Sequence, residues 1–147
     1  MSGETNLAIL LRSMNPILQA NEYVFCSLDE KVNESNWLQL NPIGMFREKE
    51  WLTLILNRDQ ADNANIPYTS IFKLITLSVH SSLDAVGFLA TITSKLAEKG
   101  ISVNPISAYY HDHLFVPALR ATEVMELLDI LSRWRCIISL QSSVKRL

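Results

Sequence analysis

Imidazoles bind metals and move protons near neutral pH, and this sequence has three of them: His80, His111 and His113. His111 and His113 are two residues apart, so on an extended strand both rings face one side, with Asp112 as a further oxygen donor between them. Neutral imidazoles suit zinc, and a metal-dependent hydrolase using the His80/His111/His113 edge is one reading. Such an enzyme also needs a general base and a pocket, and no residue pattern supplies either. The simpler reading needs neither metal nor cofactor: His80, Tyr110, His111, Asp112 and His113 form a structural edge, hydrogen-bonded to organise a hairpin beside a binding loop.

Nucleophilic chemistry has less support. Cys26 sits in the β-rich run Tyr23 to Leu28, and Cys136 follows a helical stretch whose C-terminal dipole disfavours a thiolate. The two are far apart without Cys-x-x-Cys spacing, as in a reduced cytosolic protein. Phosphate-loop, Gly-x-Gly-x-x-Gly, Gly-x-Ser-x-Gly and His-Glu-x-x-His patterns are missing. No enzymatic activity is therefore expected.

Composition narrows the partners. The 147 residues are 48% hydrophobic and 19% charged, near the averages of globular chains, which excludes disordered and fibrous classes. The formal net charge is −2 and no basic run exceeds Lys145-Arg146, so the field gathers neither nucleic acid nor an anionic membrane. Arg133-Trp134-Arg135 reads as an amphipathic helix end. Leu7 to Leu11 is too short for a signal segment and no apolar run reaches membrane-spanning length, so a cytoplasmic protein is expected.

These groups must be positioned by secondary structure. Leu7, Leu10, Leu11 and Met14 recur at helical spacing before Pro16, and Tyr23 to Leu28 is a strand. Trp37 to Leu40 reads as a short strand in a polar loop, Trp51 to Leu56 as a buried strand, and Asp59 as the cap of a helix to about Ala64. After Ile66 to Ser70 the pattern becomes regular. A strand covers Phe72 to Val79. A helix from Asp84 to Lys99 carries Ala85, Leu89, Ile92 and Leu96 on one stripe and ends at Gly100. A strand at Ile101 to Val103 breaks at Pro105, another covers Leu114 to Val116, Thr122 caps a second helix, and Cys136 to Leu140 closes as a fourth strand.

The order βαββαβ gives an antiparallel sheet ordered 4-1-3-2 with both helices on one face. His80 to Gly87, Tyr109 to His113 and Cys136 then converge on one sheet edge, and His80 should lie close to His113. Phe72 and Leu74 are too apolar to face water, so the first half of the chain or a second subunit should cover them. The third strand, His113 to Pro117, lacks the basic and aromatic platform of an RNA-recognition sheet.

Asp84-Ala85-Val86-Gly87-Phe88-Leu89-Ala90 resembles the loop-to-helix Asp-x-x-Gly-x-Leu-Ala of ACT regulatory domains, and Leu96 to Val103 continues the pattern. His80 to Gly87 and Tyr109 to Pro117 resemble a small bacterial family of tandem ACT-like proteins. Tyr23 to Cys26 and Phe46 to Leu54 extend the likeness into the first half. Trp51 departs from the family's usual glycine.

The resemblance implies an α+β fold of two ferredoxin-like (ACT-type) βαββαβ units, residues 1–69 and 70–147, that paired copies assemble into a homodimer. It also implies a regulatory or sensor protein whose effector is a small molecule of the amino-acid type. Ser81, Ser82, Asp84, Ala85, Val86 and Gly87, with Asn104, are the expected ligand-binding residues. A helix start offers unpaired amide hydrogens and a positive dipole end to a carboxylate, and Gly87 lets a ligand approach the backbone. Asp84, Ser81 or Ser82 could take an amino group. A dimerisation module without a ligand is the remaining alternative.

Overall fold

The computed structural model describes residues 3–29 and 37–144, the last eleven of these by their backbone alone. The chain forms two compact units. One is Ala20–Lys73; the other joins Met1–Gln19 to Leu74–Leu147.

The Ala20–Lys73 unit contains most of strand β1 (Pro16–Leu28), then β2 (Gly44–Arg47), β3 (Leu52–Asn57) and helix α2 (Arg58–Asn63). Strand β3 lies between β2 and β1 and is antiparallel to both, Val24 facing Leu56 and Cys26 facing Leu54. Alternation along β1 and β3 buries Val24, Cys26, Leu52, Leu54 and Leu56 in one core with Ala61. Burial pushes the Cys26 thiol above its usual pKa, which leaves it a protonated core side chain.

Two expectations are corrected in this unit. Trp37–Leu40 is a 3-10 turn rather than a strand. Residues three apart eclipse in a 3-10 turn, so Trp37 and Leu40 both pack on the core, whereas a strand would turn them to opposite faces. Helix α2 is capped by Asn57, whose side chain accepts from the Asp59 amide at 3.0 Å, so Asp59 lies inside the first turn.

In the other unit, helix α1 (Leu7–Ser13) is capped by Asn6, whose side chain accepts from the Ile9 amide at 3.1 Å. Asn15, at φ 38°, turns the chain, and Pro16 starts β1 in extended geometry. Strand β4 (Phe72–Leu77), helix α3 (Phe88–Glu98), strands β5 (Asn104–Ser107) and β6 (Asp112–Pro117) and helix α4 (Ala121–Val144) follow. The strand order is β1-β4-β6-β5, with the Pro16–Gln19 part of β1 in this unit. The helices meet over a core that includes Leu10, Leu11, Met14, Ile75, Leu77, Ile92, Leu96, Leu114 and Val124.

The order is the expected 4-1-3-2, but the fourth strand has a different source. Cys136–Leu140 is not a strand; helix α4 continues through it. No glycine or proline falls between Ala121 and Val144 to stop the helix, and the place beside β4 is taken by Pro16–Gln19. Helix α3 begins at Phe88, four residues after Asp84, because Gly87 at φ 86° turns the chain into it. Pro105 lies inside β5 rather than breaking a strand before it; β5 is an edge strand, where a missing amide hydrogen costs no ladder bond. Thr122 is not a cap, since α4 continues directly from a 3-10 turn at Ala118–Arg120.

Candidate functional site

The β5–β6 hairpin pairs Ser107 with Asp112, five residues apart around the Ala108–His111 turn. The Asp112 carboxylate is buried there, 5% exposed, and accepts from the Ser107 hydroxyl at 2.6 Å and the Ser81 hydroxyl at 2.7 Å. An ionised carboxylate offers about four acceptor sites, so two hydroxyls leave capacity for further donors.

Asp112, Ser81 and Ser107 share a cavity of about 110 Å³ with Gly87, Phe88, Leu89 and Ala90. Those four residues are the start of α3, and Gly87 contributes no side-chain cap. The first amide hydrogens of a helix have no intrahelical acceptor, and the dipole adds partial positive charge there. One cavity therefore joins the unpaired amides of a helix start to a buried carboxylate.

Of the residues expected to bind ligand, Ser81, Ser82, Ala85 and Gly87 line this cavity. Asp84 does not; it is exposed in the loop, and its amide donates to the Ser82 hydroxyl at 3.2 Å. Val86 is 84% exposed, and Asn104 is exposed at the start of β5. Both lie outside the lining because the helix starts at Phe88 and β5 at Asn104, later than the sequence pattern implied. Ser107 and the inward role of Asp112 were missed; the signal available was their hairpin spacing.

The histidine edge forms, with altered neighbours. His80 stacks against Tyr110 with ring centroids 5.4 Å apart, and Tyr110 against Tyr109 at 5.0 Å. His111 Nδ1 meets the Val79 carbonyl at 3.3 Å, and His113 Nδ1 meets the Thr76 hydroxyl at 3.1 Å. His80 was expected beside His113; the ring contact of His80 is with Tyr110, and His113 meets Thr76, four residues before His80 and inside β4. Burial pushes the His113 imidazole below its ordinary pKa of 6.5, His111 adds to this and Asp112 opposes it. Among the described residues, no group of three or more His, Cys, Asp or Glu could hold a metal ion. The Cys136 side chain, expected at this edge, lies outside the described residues.

An antiparallel α+β sheet with packed helices places the chain in the ferredoxin-like class of small α+β domains. ACT domain models match residues 2–73 and 70–129. A protein of unknown function from Vibrio cholerae, described as a possible transport protein, has 44% identity and a TM-score of 0.76 over 86% of this chain and 95% of its own. The chain belongs to the ACT domain family, with two such domains in tandem. A protein from Agrobacterium tumefaciens matches at 16% identity and TM-score 0.65, over 80% of this chain and 87% of its own. Aspartokinase III from E. coli, in complex with aspartate and ADP, matches at 10% identity and TM-score 0.58, over 79% of this chain and 32% of its own. No curated protein matches. ACT domains are typically regulatory ligand-binding domains. No helix among the described residues is long and apolar enough to cross a membrane.

Proposed function

We propose that this protein is a regulatory sensor without catalytic activity, and that it binds a small amino acid in the cavity at the start of α3. The observation that carries the reading is the pairing of opposite electrostatic ends in one small space. The amides of Phe88, Leu89 and Ala90 suit an α-carboxylate, and Asp112, with Ser81 and Ser107, suits an α-ammonium. The volume sets the size: about 110 Å³ is well below the roughly 300–1,000 Å³ of drug-sized pockets. It is of the order of the roughly 150 Å³ that accommodates benzene, which favours a ligand of about six or seven heavy atoms, such as L-alanine or L-serine. The regulated form is a cytoplasmic homodimer in this reading.

A thermal-shift screen of the proteinogenic amino acids tests it, because a ligand specific for the native state raises the melting temperature by mass action. L-Alanine, L-serine or glycine should raise it, and ethylamine and N-acetyl-alanine, each lacking one charged end, should not. Asp112→Asn keeps the shape and an acceptor oxygen for one hydroxyl, offers the other an amide to accept from, and removes the charge, so the response should fall at least tenfold in affinity. A protein unmoved by any amino acid, or an Asp112→Asn variant that binds as the wild type does, would overturn the proposal.

A further inference from the structure

The segment before α1 is tied to the cavity wall. Glu4 forms an isolated parallel bridge with Ser81: its amide donates to the His80 carbonyl at 2.9 Å, and the Ser82 amide donates to the Glu4 carbonyl at 2.9 Å. Gly3 passes so close that a Cβ there would lie 2.6 Å from the Ser81 carbonyl carbon and the Ser82 nitrogen, and 2.8 Å from the Ser81 oxygen. All three are backbone atoms, so no change of rotamer relieves the overlap; the loop or the segment must move.

The other end of the segment is equally fixed. The Glu4 carboxylate accepts from the Thr5 and Asn6 amides at 2.8 Å each, which holds it below the usual carboxylate range. Asn6 then caps α1, whose Leu10 and Leu11, with Met14 just beyond it, are wholly buried. A chain of contacts thus runs from the core through α1, Asn6 and Glu4 to Ser81 and Ser82, two residues of the cavity wall.

We infer that Gly3 is a positioning residue for the ligand cavity: it allows residues 3 and 4 to lie against the Ser81–Ser82 backbone and hold the Ser81 hydroxyl on Asp112. This rests on the reading of that cavity as an amino-acid site. Any side chain at position 3 displaces the loop, and with it the wall of the cavity.

The test combines Gly3→Ala with Glu4→Pro, which replaces the amide hydrogen donated to the His80 carbonyl by a ring carbon and so breaks the bridge one residue further on. Gly44→Ala serves as an equal-sized change in the other unit. Amide exchange of Ser82 in the ligand-free protein is compared with that of Thr91, whose amide donates to the Gly87 carbonyl within α3. Both segment variants should exchange Ser82 at least tenfold faster with Thr91 unchanged, and should bind L-alanine roughly tenfold more weakly, the factor expected for about one hydrogen bond. Gly44→Ala should change neither. Unchanged Ser82 exchange, or faster exchange with unaltered affinity, would overturn the inference. A wild-type protein that ignores L-alanine, L-serine and glycine would instead sink the reading of the cavity, and the exchange measurement would still decide whether the segment holds the loop.

Discussion

Burial lowers the pKa of His113, so between that lowered value and 6.5 the unfolded chain binds more protons than the folded one. Stability is therefore complete above about pH 6.5, falls as the pH drops through that window, and loses nothing further once both states are protonated. His113→Gln retains a partner for the Thr76 hydroxyl but has no proton to gain. Its urea midpoint should fall less between pH 7.5 and 5 than that of the wild type, and an identical pH profile in the two would place the acid sensitivity elsewhere. At this scale the sequence was legible where a single residue type has one use. Gly100 takes positive φ at the end of α3, as the helix stop read from the sequence requires, whereas Gly87, read as lying inside that helix, takes positive φ just before its start. It was less legible where two carboxylates compete: Asp84 precedes the helical stripe and Asp112 stands between histidines, and only the Ser107–Asp112 register decides which faces inward.

Elements follow the same rule. Gly87→Ala forces a side chain into φ 86°, where an L-residue costs about 1–2 kcal/mol, although its Cβ would meet nothing nearer than Leu7 Cδ2 at 3.6 Å. Gly44 is on the edge strand β2, and a Cβ there meets only the end of the Ile55 side chain, at 3.1 Å. Chemical denaturation should show Gly87→Ala destabilised by about 1–2 kcal/mol, Gly87→Val by more, and Gly44→Ala by under about 1 kcal/mol. Equal losses at the two glycines would mean that strain does not set the start of α3. Strong periodicity made α1, α3, β3 and β6 readable. Cys136–Leu140 was not, because a short apolar run fits a strand or a buried helix equally well and only the absence of a stop signal favours the helix.

For the whole molecule, the division of the sequence near residue 70 does not coincide with the division in space, since Met1–Gln19 packs with Leu74–Leu147. Sequence reading could find the amphipathic helix at Leu7–Ser13 but not its destination, because periodicity reports that a face is buried and not against what. The consequence is testable with a fragment of residues 70–147. It would lack the Pro16–Gln19 strand beside β4 and three wholly buried core side chains, Leu10, Leu11 and Met14. Each is worth about 1.5–3 kcal/mol of burial, together about 5–9 kcal/mol, against about 5–15 kcal/mol for the stability of a domain. The fragment should keep helical far-ultraviolet circular dichroism, bind a hydrophobic dye and melt without a cooperative transition; adding a peptide of residues 1–19 should restore the transition. Cooperative melting of the fragment alone, near the temperature of the full chain, would show that the N-terminal segment contributes little and that the unit closes without it.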